Sequence, residues 1–346
     1  MLRRSLLMLC LAFVVTACAS QTPSQVETSP TQSETPCWNS PLTGLCADET
    51  VPVLAVKIDD VSAARPQWAL NEADVVVVEP VEGGLTRLFA VYQSEIPTTL
   101  GPIRSARITD VDIAAAFGEP GFAYSGASRR TTPYLWKSSM QLVGAPQGGL
   151  GYSRASDRYA PHNLMGNYEE IISRIKKPAK ALLGNRIAWS FLDDSTSAIE
   201  GRDIISATAD WPASDKTFTW DASLKRWLVS ADGKDTESIS DQGVQLAQTT
   251  NVFVMNAVTL ETWYLSSGGA TPYLKTFGEG NGWVLMNGQA IKAVWKRPTI
   301  QDFPRWYTTE GVEIAVPQGN AWWLLLSERD EMKFKWVKSP SPTPSS

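Results

Sequence analysis

Residues 53–92 read VLAVKIDDVSAARPQWALNEADVVVVEPVEGGLTRLFAVY. Three short apolar runs stand out in it: VLAVKI (53–58), ending at Asp59-Asp60; VVVVE (75–79), ending at Glu79; and LTRLFAVY (85–92). Runs of this length, rich in β-branched and aromatic residues, read as buried strands, although periodicity alone leaves a buried helix open. Helices are expected beside them. Thr109 is placed to cap a helix through Phe117 that Gly118 stops, Thr132-Pro133 opens another over YLWKSSM, and Asn167 can cap YEEIISRIKK. GFAYS (121–125) reads as a fourth strand. The expectation is an α/β (α+β) N-terminal domain with a mixed sheet over residues 37–185.

After residue 200 the pattern changes. FTWDA, KRWLVS, NVFVMN, GWVLMN, AIKAVWKR, VEIAVP and AWWLLL are separated by turn signals such as Asp232-Gly233 and Asn287-Gly288. This spacing predicts a mainly antiparallel β domain over 200–338, followed by a disordered tail at 339–346. Of the 14 Trp residues, ten lie after residue 200, which favours core packing over exposed sugar-stacking faces.

The N-terminus assigns a compartment. Arg3 and Arg4 precede a ten-residue apolar run, Leu6 to Val15, too short to span a bilayer, and the segment ends Val15-Thr16-Ala17-Cys18. This ending resembles the bacterial lipobox and predicts a signal peptide over 1–17. Cys18 then becomes the mature N-terminus, lipidated with palmitate among its acyl groups; the alternative is an ordinary cleaved signal with Cys18 incidental. Residues 18–36 are mostly Ser, Thr, Pro, Gln and Glu and form a disordered tether, holding the folded part about 20–30 Å from the membrane. The expected location is the outer face of the bacterial cell membrane, with the membrane as partner through the lipid anchor. Cys37 and Cys46 then remain, and in an exported chain they read as a local disulfide.

Composition narrows the function classes. The chain has 346 residues, 31 Lys+Arg against 36 Asp+Glu and a formal charge of -5, and the signal takes two arginines with it. No broad cationic field is available for nucleic acid. One His and four Cys leave too few soft ligands for a zinc site. The absence of G-x-x-x-x-G-K-[ST], G-x-G-x-x-G and H-E-x-x-H removes the usual support for a nucleotide cofactor or a zincin, while a hard cation such as Mg or Ca stays compatible with the carboxylates.

Charge recurs at the ends of the apolar runs: Asp59 and Asp60, Glu79, Glu82 before Gly83-Gly84, Thr86 and Arg87, then Arg104, Ser105 and Arg107. Strand ends and the loops after them are where ligand sites form in α/β sheets. Carboxylates there suit general acid/base work, and arginines suit a fork for phosphate or carboxylate. The competing reading is buried salt bridges that fix loop geometry. His162, the only imidazole, lies in APHNL (160–164) beside Asn163; it can serve as a base toward water or Ser105, Ser125 or Ser128, but no spacing ties it to a nucleophile.

The succession NSPLTGL (39–45), VKIDD (56–60), ARPQWALNEADVVVVEPVEGGLTRLFAVY (64–92), GPIRSAR (101–107) and APHNL (160–164), with NVFVM (251–255) and AVWKR (293–297), resembles the YerB-like lipoprotein family, a two-domain family of unknown function. The resemblance covers nearly the whole folded region and implies an envelope lipoprotein with no established activity. This chain departs from the family's usual Asp-Asn with a second carboxylate at Asp60. Two functions follow as expectations. The first is a binder of an anionic or glycan ligand, or of a protein partner, through Arg65, Thr86, Arg87, Arg104, Ser105, Arg107 and Asn163. The second is an envelope hydrolase of glycan or phosphodiester bonds with Asp59, Glu79, Glu82 and His162 as acid/base groups.

Overall fold

The apolar runs pair as strands. In the computed structural model, which describes residues 37–183, 186–193, 196, 198–264 and 269–338, Leu54–Asp59 and Val75–Pro80 both pair antiparallel with Thr86–Tyr92. The predicted signal, Cys18, the tether and the tail lie outside the described residues. Every residue of the three strands is buried. Side chains alternate between the two faces, so Ala55, Val75, Val77, Phe89 and Val91 enter one core cluster while Leu54, Val56, Val76, Val78, Leu88 and Ala90 enter another. A sheet covered on both faces needs apolar residues at odd and even positions alike, which is why these segments read as continuous runs.

The sheet does not stop at the N-terminal half. Among the described residues it has 16 strands, and Ala321–Leu326 (AWWLLL) lies between Val75–Pro80 and Asn251–Asn256, parallel to both. From Asn251–Asn256 the order continues through Gly278–Met286, Gln289–Arg297, Arg202–Trp211, Ser214–Asp221 and Arg226–Ala231, all antiparallel. The fold is therefore a mixed sheet followed by a mainly antiparallel C-terminal strand region, as expected. Both halves contribute to one compact unit from Cys37 onward. Trp189, Trp227, Trp306, Trp322 and Trp323 are fully buried, as strand tryptophans usually are.

Several local expectations changed. VEIAVP is not a strand; only isolated bridges form there, at Glu313 and Val316. The helix capped by Asn167, whose side chain accepts from Glu170 N at 2.9 Å, ends at Ile172. Beyond it, Arg174 N and Ile175 N bond the Ile171 and Ile172 carbonyls at 3.2 and 2.9 Å, three-residue turns that do not continue the α-helix. The short helix Thr109–Ala115 carries Asp110 and Asp112 in its first turn, where carboxylates favour the helix dipole. Cys37 and Cys46 are disulfide-bonded, with Cα atoms 5.6 Å apart.

Two buried ionisable groups tie these elements together. Lys57, fully buried in the middle of its strand, donates to Asp110 Oδ1 at 2.8 Å and pairs with Glu79, linking two strands to the helix. Asp74 precedes Val75 and accepts from Ser94 N at 2.9 Å, and its carbonyl accepts from Ala321 N at 3.0 Å. Lys57→Met leaves two carboxylates buried without a cation and is expected to cost about 3–5 kcal/mol in denaturant unfolding, part of it recovered when Glu79→Gln and Asp110→Asn are added. Burial pushes the Asp74 carboxyl up to about 7, so the folded chain holds a proton that the unfolded chain has already lost. That contribution is present below about pH 4 and disappears as pH rises through 7. Asp74→Asn is expected to shift the stability difference in the variant's favour by about 1–3 kcal/mol between pH 4 and pH 8, read from paired melts.

Candidate functional site

Antiparallel register puts Asp59 opposite Arg87 and Arg87 opposite Glu79, so an arginine is flanked by two carboxylates across neighbouring strands. Neither carboxylate pairs with it. Glu79 is taken by Lys57. Asp59 Oδ2 accepts from His162 Nδ1 at 2.7 Å and lies 3.0 Å from Arg104 Nε, and its Oδ1 accepts from Asp60 N at 3.0 Å. Arg87, 8% exposed, donates NH1 to the Ser105 carbonyl at 2.7 Å and has no carboxylate partner among the described residues.

The arginines converge because of how residues 103–107 run. Arg104 N bonds Lys57 O at 2.8 Å, Ser125 N bonds Arg104 O at 2.9 Å, and Ala106 N bonds Gly126 O at 2.8 Å. The segment is wedged between the end of strand Leu54–Asp59 and the loop after Gly121–Ala123. That wedge sets Ser105 Oγ 3.4 Å from Ser125 Oγ, both partly exposed. Arg107 donates NH1 to the carbonyls of Ser105 and Ala106 at 3.2 and 2.9 Å, and NH2 to Glu82 Oε2 at 2.6 Å. Ser105 O therefore holds Arg87 and Arg107 together.

Electrostatics follow from this crowding. Burial, with the charges of Arg107 and Arg104 beside it, lowers Arg87 to about 9. Burial alone would raise Glu82, but the Arg107 hydrogen bond and charge, with Thr271 on Oε1, hold it down at about 2. His162 is a quarter exposed. An ionised carboxylate only accepts, so the neutral ring carries its proton on Nδ1 toward Asp59 and keeps the Nε2 lone pair, the arrangement of a general base. No hydroxyl bonds His162 among the described residues, and the ring borders a recess of about 330 Å³ with Arg65, Arg158 and Tyr159.

The remaining candidates take other places. Thr86 donates to Asp60 Oδ2 at 2.5 Å, and Asp60 also meets Lys216 Nζ at 2.8 Å. Arg65 donates to the Asp60 carbonyl at 2.6 Å and to Asp232 at 2.7 Å. This second network fastens the N-terminal strands to residues of Ser214–Asp221 and the turn after Arg226–Ala231. Asn163 accepts from Arg154 at 2.7 Å and donates to the carbonyls of Ala155 and Arg158, so it shapes the loop that carries His162. Glu79 lies in the core with no exposed edge. The structure thus brings together Asp59, His162, Arg104, Ser105, Arg87, Arg107 and Glu82; Glu79 lies opposite Arg87 in register but is committed to Lys57, and Thr86 and Asn163 bond elsewhere.

Lys57, Asp110 and Lys216 belong to these networks although sequence reading passed over them. Lys57 had a signal, being the one charge inside VLAVKI. Lys216 had none in its surroundings, SDKTFTW. Among the described residues, no group of three or more His, Cys, Asp or Glu is arranged to hold a metal ion, and no helix is long and apolar enough to cross a membrane.

Comparison with known proteins gives consistent results. Residues 42–181 match the "Protein of unknown function (DUF3048) N-terminal domain", and residues 207–323 match the corresponding C-terminal domain. The chain is 25% identical over 303 residues to the Bacillus subtilis (strain 168) protein named "Putative lipoprotein YerB", covering 84% of this chain and 87% of that one. The crystal structure of the YerB protein from Bacillus subtilis superposes with a TM-score of 0.67 at 22% identity, covering 86% of this chain and 99% of that one, which shows a shared fold. With both domain matches present in order and a lipoprotein relative along most of its length, the chain belongs to the DUF3048 family.

Proposed function

We propose that this protein is an extracytoplasmic lipoprotein, exported by its signal peptide and anchored through Cys18, that binds an anionic, phosphate- or carboxylate-bearing envelope ligand at Arg87 and Arg104. The observation that carries this reading is Arg87: a nearly buried guanidinium, flanked in register by two carboxylates that are both committed elsewhere, with like charges beside it. Glu82 and Asp59 attract Arg87 without touching it, and burying a cation with no carboxylate in contact is costly, so an anion arriving at the site supplies that contact. Arg104, 19% exposed, and the hydroxyls of Ser105 and Ser125 add donors at the same place.

A hydrolase reading has one observation in its favour, the Asp59–His162 pair at 2.7 Å, which orients the imidazole as a base. It ranks second because, among the described residues, no side-chain hydroxyl or thiol is bonded to that base.

Arg87→Met separates binding from a structural role. Ser105 O keeps its bond from Arg107 in the variant, and the unpaired charge is gone. The expected outcome in the full chain is an unchanged or higher melting temperature without anions. Inorganic phosphate at about 100 times its Kd adds about 2.7 kcal/mol to the wild type and nothing to the variant. A variant that melts well below the wild type in phosphate-free buffer, or that still responds to phosphate, contradicts the proposal.

A further inference from the structure

The same strands end a second time on the opposite side. About 15 Å along Val75–Pro80 and Thr86–Tyr92 from Arg87, Asp74 and Ser94 lie on a cleft of about 360 Å³ formed by residues 68–74, 94–99 and 240–250. Its walls are polar, and its chemistry is the reverse of the arginine site. Glu72, Asp74, Glu95 and Asp241 line it, with Arg226 as the one cation among the lining residues.

The cleft is built rather than incidental. Strand Gln67–Trp68 pairs parallel with Glu237–Ser240, and Trp68 N bonds Gly101 O at 2.7 Å, which fixes the backbone of Trp68, a half-buried residue of the cleft wall. Asn71 clamps the far side by donating to Leu246 O at 3.1 Å and accepting from Gln248 N at 2.9 Å. Other groups are left uncommitted. Glu72 Oε2 is shielded from solvent with no hydrogen-bond partner, and the side-chain amides of Gln242, Gln245 and Gln248 bond no protein atom among the described residues. Among the described residues, no three of these carboxylates are grouped as metal ligands.

We propose that this cleft binds a neutral saccharide, with Trp68 as the platform for a pyranose ring and Glu72, Gln242 and Gln245 bonding its hydroxyls. A sugar presents an apolar C–H face together with groups that both donate and accept. A ring face beside carboxylates and free amides matches that combination, and the excess of carboxylates turns away anionic ligands.

The test is calorimetric titration of the full chain with neutral tetrasaccharides of glucose and of N-acetylglucosamine, and with the cationic deacetylated tetramer. At least one neutral tetramer is expected to bind. Trp68→Leu and the double variant Gln242→Ala/Gln245→Ala are expected to weaken it about tenfold or more. The double variant changes exposed side chains, so its melting temperature should match the wild type, and Arg87→Met should leave saccharide binding intact. No heat from either neutral tetramer up to about 10 mM, binding of the deacetylated tetramer alone, or binding unaltered in the double variant overturns the proposal.

Discussion

Arg87 lies between two carboxylates in strand register and pairs with neither. Much of the N-terminal architecture follows from how those carboxylates are used. Glu79 answers Lys57, the cation inside an otherwise apolar strand, and Lys57 brings in Asp110 at the start of the helix. Asp59 collects Arg104 and His162, which orders the wedge at 103–107 and the loop after residue 155. The arginine that remains shares the Ser105 carbonyl with Arg107. A fold that needed only stability would be served better by apolar residues at such positions, since buried ion pairs rarely exceed their desolvation cost.

Joining both halves in one sheet gives this end of the molecule its rigidity. Ala321–Leu326 seals the N-terminal strands to Asn251–Asn256, and Lys216 and Arg65 bind Asp60 and Asp232 across the two halves. Arg297, fully buried, donates to the carbonyls of Asp112, Thr276, Ile300 and Asp302, so the helix beside Lys57 is also held from the C-terminal half. A site positioned by such ties keeps its donors aimed before a ligand arrives, which lowers the ordering cost of binding.

The strands were legible in the sequence because burial on both faces writes itself as continuous apolar runs, and VVVVE and LTRLFAVY appear where those runs predict. The parallel insertion of AWWLLL was not legible: an apolar run says that a strand is buried but not which strands it joins. Nor was the pairing within the charged cluster. Asp59, Glu79 and Glu82 look alike as residues at strand ends, yet the register and the turn at Gly83-Gly84 send one to a histidine, one into the core beside Lys57 and one to Arg107. Asp60 and Thr86 are neighbours of the site residues in sequence but belong to a different network. His162 reached Asp59 across 103 residues, a contact that no local spacing encodes.

The proposed anion site at Arg87 can be tested by crystallography. Crystals of the protein grown with tungstate, a tetrahedral oxyanion with a strong anomalous signal, test it directly. A tungsten peak is expected within hydrogen-bonding reach of the Arg87 and Arg104 guanidinium groups, with Asp59 still on His162 and Glu79 still on Lys57. An empty site at saturating tungstate, or Arg87 found paired with Asp59 or Glu79, would contradict it.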